Sequence, residues 1–104
     1  MKQVAFKMKL YKGFEEEYKR RHDAIWNELK DLLHETGISD YFIFLDEETS
    51  ILFGTLKIVD ELRLEELPHY AVMQRWWTFM KDIMETKEDN SPVSIPLTQV
   101  FYLP

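Results

Sequence analysis

Three groups of side chains in this sequence have the types and spacing to do chemistry together. The first is Tyr18 and His22, four residues apart in a segment with helical periodicity. Residues at that separation are neighbours on a helix surface, so a phenol and an imidazole present themselves to one spot. Imidazole exchanges a proton near neutral pH and suits acid–base work. The second group is Trp76 and Trp77, adjacent in a later helical segment. Successive helical residues point about 100° apart, so one indole packs inward while the other lines a cleft. Indole faces cover the C–H surfaces of small polar ligands, and the ring N–H donates to a hydroxyl. The third is Tyr41, which opens an apolar strand and offers a ring wall with a hydroxyl at its end. Each of these has a bland alternative: a histidine, tryptophan or tyrosine on an apolar face is also a common core residue.

Other candidates carry less. His34 falls on the charged side of its helix, and His69 follows Pro68 in a connection. Asp89 and Asn90 stand in the polar run before Pro92, where they supply hydrogen bonds or form an ordinary turn. No histidine or carboxylate pair has metal-ligand spacing, so no metal is expected. The chain has no cysteine, which removes disulfides, thiolate catalysis and cysteine-bound zinc.

The elements that must position these residues follow from periodicity. Val4, Phe6, Met8 and Leu10 alternate with smaller or charged residues, the pattern of a strand buried on one face. Residues 14–36 carry an apolar stripe of Phe14, Tyr18, His22, Ile25, Trp26, Leu29, Leu32 and Leu33, predicting one long helix that Gly37 ends. Residues 40–46 and 51–58 read as a hairpin around the polar turn 46–50, with Gly54 marking a close approach of backbone or ligand. Residues 60–67 read as a short helix stopped by Pro68, residues 70–84 as a second long helix, and Leu97 to Leu103 as a last strand.

The order β-α-β-β-α-β predicts an α+β, ferredoxin-like domain spanning residues 1–104, an antiparallel sheet with helices on one face. Such a sheet leaves its other face open, and an apolar open face usually meets a partner. A homodimer joined partly through the sheets is therefore expected. At 104 residues, self-association also supplies burial that a small core lacks.

The formal net charge of -6 argues against phosphate-backbone binding and against an anionic membrane surface, and leaves a neutral ligand unaffected. Residues 1–3 lack the apolar region of a signal peptide, and no run approaches the ~20 apolar residues of a membrane span. A cytosolic location is the resulting expectation.

The combined motifs resemble the L-rhamnose mutarotase family. The resemblance rests on Glu17-Tyr18-Lys19-Arg20-Arg21-His22, Ile25-Trp26, Gln74-Arg75-Trp76-Trp77, the loop Asp89-Asn90-Ser91-Pro92-Val93-Ser94 and the terminal Val100-Phe101-Tyr102-Leu103-Pro104. It covers essentially the whole chain, loosely over residues 46–70, and Asn27 stands where family members often have proline. The resemblance implies a dimeric ferredoxin-like fold of the α/β-barrel type and a cofactor-free enzyme that interconverts the α and β anomers of L-rhamnose. It implies His22 as proton donor and Tyr18, Tyr41, Trp76 and Trp77 as sugar-binding residues. A cationic His22 would protonate the ring oxygen, with the opposing base unassigned. Two readings on the same scaffold compete: an oxygen-using or haem-degrading enzyme with His22 on iron, and a non-catalytic ligand-sensing module.

Overall fold

A computed structural model describes residues 1–104. In chain order the elements are β1 (Lys2–Lys9), α1 (Glu15–Asp23), α2 (Asn27–Glu35), β2 (Ile38–Asp46), β3 (Ile51–Ile58), a 3₁₀ segment (Glu61–His69), α3 (Ala71–Met80) and the short β4 (Ile95–Pro96). The sheet is antiparallel with strand order β2-β3-β1-β4. This is the expected α+β, ferredoxin-like arrangement.

One face of the sheet carries the core. Met8, Leu10 and Leu52 from the strands meet Tyr18, Leu29, Leu32, Met73, Trp76 and Met80 from the three helices. A smaller cluster of Ile38, Leu56 and Ile58 packs under Leu33, Leu64 and Leu67. Burying one such aliphatic side chain stabilises the fold by about 1.5–3 kcal/mol before entropy is counted. On the opposite face, Phe42 and Phe44 remain 55% and 60% exposed, with ring centroids 6.1 Å apart.

The long first helix does not form as one piece. It breaks after Asp23, and Trp26 adopts an extended backbone with ψ 136° before α2 begins. No proline forces this break. The extended conformation lets the Trp26 ring meet Trp76 and Phe79 at centroid distances of 5.1 and 5.6 Å, and those tertiary contacts outweigh local helix propensity. Gly37 does end the second piece, at φ +93°.

Three other expectations need correction. Residues 61–69 form a 3₁₀ segment that includes Pro68, in place of a helix stopped before it. The helix expected to reach Met84 ends at Met80, and the chain turns so that Leu10 bridges Met84. The terminal strand is confined to Ile95–Pro96 paired with Phe6 and Lys7, followed by one bond from the Leu97 amide to the Ala5 carbonyl. Pro96 has no N–H with which to extend the ladder. Beyond it Val100, Phe101, Tyr102 and Leu103 are 72–92% exposed.

Gly54 has a clear role. It lies opposite Phe6 across the β1–β3 ladder, and a Cβ built there would stand 2.5 Å from the tip of the Phe6 ring. The close approach foreseen at this position is therefore made by a core ring. Gly54→Ala should displace that ring and lower stability by about 1–3 kcal/mol, read as a shift in the denaturant midpoint. An unchanged midpoint would show that Phe6 yields freely.

Candidate active site

α1 places Tyr18 and His22 one turn apart, and the rings stack at 4.2 Å between centroids with 27° between planes. α3 supplies Trp76, whose ring meets His22 edge to face at 5.3 Å and 88°. Trp76 is only 6% exposed and its far side packs on Trp26, while Trp77 is partly open. The adjacent indoles thus divide as their 100° separation requires, although both border the same cavity.

Tyr41 arrives by a register change. Ser39 pairs with Lys57 and Phe42 with Thr55, so Asp40 and Tyr41 together oppose the single residue Leu56. Asp40 takes up the extra residue with φ +47°. Strict alternation from the inward Ile38 would turn Tyr41 outward; the bulge reverses the parity and turns it inward. Its ring then meets Phe6 edge-on at 6.1 Å.

The five residues share a cavity of 1210 Å³ between the sheet and the helices, and all five also line an adjoining recess of 70 Å³. Every fully buried side-chain nitrogen and oxygen has a hydrogen-bond partner. The hydroxyls of Tyr18 and Tyr41, the indole nitrogens and His22 Nε2 make no hydrogen bond within the protein, and their residues line the cavity. Apolar walls with a few unpaired polar groups at one end are what a small polar ligand needs.

The His22 ring is fixed in one sense. Nδ1 lies 3.1 Å from the Tyr18 backbone carbonyl. A carbonyl oxygen only accepts, so Nδ1 carries the hydrogen and Nε2 is the nitrogen left for chemistry. Burial lowers the His22 pKa from its ordinary 6.5, against smaller opposing effects of the Tyr18 carbonyl and Asp23. At neutral pH the imidazole therefore rests uncharged, with a lone pair on Nε2. Burial raises both tyrosines: Tyr41 reaches about 12, and Tyr18 moves the same way, with Tyr41 as a second contribution. Both phenols stay protonated donors.

His34 and His69 are exposed. No three His, Asp or Glu side chains stand together so as to share a metal ion. No helix is long and apolar enough to cross a membrane.

Sequence reasoning missed two supports. Arg21 donates to Glu17 at 2.6 Å, to the Phe79 carbonyl at 2.8 Å and to Asp82 at 2.9 and 3.2 Å, and its guanidinium lies 4.5 Å over the Phe79 ring. It ties α1 to the end of α3, holding His22 against Trp76. Its adjacency to His22 was visible in the sequence, but its distant partners were not. Trp26 was assigned to the helical stripe, and only the helix break shows that it backs Trp76.

One titratable imidazole walled by rings with unpaired polar edges has the chemistry that acid–base work on a small, neutral, polar ligand requires. Comparison with known proteins makes the class specific. The family model described as L-rhamnose mutarotase matches residues 3–103. The L-rhamnose mutarotase of Brucella anthropi is 59% identical over 100 residues, 96% of this chain and 94% of that one. That of Jannaschia sp. is 56% identical over the full length of both chains. The crystal structure of the L-rhamnose mutarotase from Formosa agariphila superposes with a TM-score of 0.93 at 49% identity, covering all of both chains. The protein is thus an enzyme of the carbohydrate isomerase type. It belongs to the L-rhamnose mutarotase family.

The bulge at Asp40 gives the site a testable weak point. Asp40→Val forces a β-branched residue to φ +47° and should cost about 1–2 kcal/mol, whereas Asp40→Gly should be tolerated. Denaturation midpoints compare them; equal losses in both would mean that the Asp40 side chain matters and its backbone does not.

Proposed function

We propose that this chain interconverts the α and β anomers of L-rhamnose by acid–base-assisted opening and reclosure of the hemiacetal ring. In this reading His22 is the group that gives a proton to the ring oxygen, and Tyr18, Tyr41, Trp76 and Trp77 bind the sugar. The observation that carries the assignment of His22 is its pinned Nδ1, which leaves Nε2 free within the ring of aromatic walls.

The lowered pKa also supplies the missing base. An uncharged Nε2 takes the proton from the anomeric hydroxyl, and the imidazolium so formed passes it to the ring oxygen. Both oxygens are bonded to the same carbon, so one nitrogen serves both. The O–H bond of the anomeric hydroxyl and the bond between anomeric carbon and ring oxygen break. A carbonyl and a new hydroxyl form. The aldehyde turns and the same steps run backwards on its other face. Proton balance is zero, and no electrons change hands. The two phenols donate to oxygens that gain charge, and the indoles cover the apolar edge of a 6-deoxy sugar.

We further propose that two copies pair as an α/β-barrel-type homodimer through the outer sheet faces. The support is that one chain carries two exposed apolar surfaces: the stacked Phe42 and Phe44, and the Val100–Leu103 run. A two-fold pair buries both at once. A cytosolic location completes the reading; a chain without cysteine gains nothing from an oxidising compartment.

Anomer exchange of L-rhamnose followed by NMR tests the activity. His22→Ala should lower kcat by about 10²–10³-fold with the fold intact; exchange at the wild-type rate would remove His22 from the mechanism. Because the neutral imidazole is the starting base, wild-type kcat/KM, corrected for uncatalysed exchange, should be flat above pH 6.5 and fall as acid protonates His22 below that value. A rate that rises with acid would instead assign catalysis to a pre-formed cation. Gel filtration at micromolar concentration should give twice the chain mass and Phe44→Asp should reduce it; a wild-type monomer would dismiss the dimer.

A further inference from the structure

The Asp89-Asn90-Ser91-Pro92 loop marks the family resemblance, yet no role in the reaction has been given to it. The loop is tightly made. The Lys87 amide donates to the Ser91 carbonyl at 2.8 Å and the Asn90 amide to the Lys87 carbonyl at 2.9 Å. Asp89 accepts from the Ser91 amide and hydroxyl, and Thr86 bridges Pro92. Asn90 sits within it at φ +70°, a backbone region that asparagine tolerates better than most residues.

Its side-chain amide is oriented by a relay. The Thr78 hydroxyl donates its single hydrogen to the Gln74 carbonyl at 3.0 Å. Toward Asn90 that hydroxyl can therefore only accept, so the atom 3.3 Å away is the donor Nδ2. The amide is thus set with Oδ1 away from Thr78, and no group of the protein donates to it. Asn90 lines the 70 Å³ recess together with His22, both tyrosines and both tryptophans, but not the larger cavity. A fixed, unpaired carbonyl oxygen on a residue that lines the recess complements a site whose other polar groups are chiefly donors.

We infer that Asn90 is a further substrate-binding residue, whose Oδ1 accepts a hydrogen bond from one sugar hydroxyl and thereby selects among sugars, with Thr78 as the positioning residue that orients it. The inference rests on the mutarotase reading. The phenols and indole N–H groups offer donors, so a fixed acceptor adds a contact that a sugar hydroxyl completes as donor. A site built around a hydroxyl rejects the analogue lacking it, because the acceptor is left unpaired.

The experiment is NMR anomer exchange with L-rhamnose and its monodeoxy analogues, on wild type, Asn90→Gly, Asn90→Asp and Thr78→Val. Glycine accepts the positive φ, so Asn90→Gly removes the amide without straining the loop. It should raise KM for L-rhamnose about tenfold, the loss of one hydrogen bond, and change kcat by less than about threefold. Asn90→Asp keeps the acceptor and should stay within about threefold of wild type. Thr78→Val, which leaves Asn90 in place but frees its amide, should raise KM by about threefold. For the one analogue lacking the contacted hydroxyl, wild type and Asn90→Gly should have equal KM. An unchanged KM in Asn90→Gly, or one penalty shared by every analogue, would overturn the role of Asn90 while leaving the mutarotase reading standing. If Asn90→Gly does not fold, an unchanged KM in Thr78→Val overturns it. A wild-type protein that exchanges no anomers overturns both.

Discussion

A single hydrogen bond organises the site: His22 Nδ1 to the Tyr18 carbonyl, one turn back on the same helix. It fixes which nitrogen carries the proton and which is free, and it holds the imidazole flat against the Tyr18 ring. A free imidazole in water has two tautomers and many orientations; this one has one of each. Burial then keeps the resting ring uncharged. Everything else in the site is arranged around that ring.

The arrangement needs help from outside the helix. Stacking on Tyr18 is local, but Trp76 comes from α3, which shares the core with α1 and is tied to it by Arg21. Trp76 is in turn backed by Trp26, whose placement requires the helix to break. The break interrupts a run of helical hydrogen bonds, and the aromatic cluster of Trp26, Trp76 and Phe79 offsets that loss. The same trade recurs in β2, where a residue at positive φ interrupts a ladder so that Tyr41 faces the cavity. Both departures from regular structure lie beside the site, where the sheet or helix is bent to aim a side chain.

A small fold also explains the exposed aromatic surface. With so much of the inner face given to a cavity, the core is modest, and the stacked phenylalanines of the outer face and the apolar terminal run stay exposed. The cavity and the exposed phenylalanines thus lie on opposite faces of one sheet.

The sequence alone determined the element order, the inward face of β1, the pairing of Tyr18 with His22 and the division of labour between adjacent tryptophans, because these depend on periodicities of 3.6 and 2 that local geometry enforces. The motif set was also specific enough to indicate the family. Tertiary structure decided what periodicity does not encode. The helix breaks at Trp26 although no local residue demands it, since the contacts that favour the break come from residues fifty positions away. The parity of Tyr41 depends on a bulge whose single extra residue leaves no compositional mark. Arg21 and Thr78 read as ordinary surface residues, and Asn90 as part of a polar loop, until folding supplies Asp82, Gln74 and the recess. The protonation of His22 follows last, since a pKa is a property of surroundings, and a sequence lists neighbours along the chain but not in space.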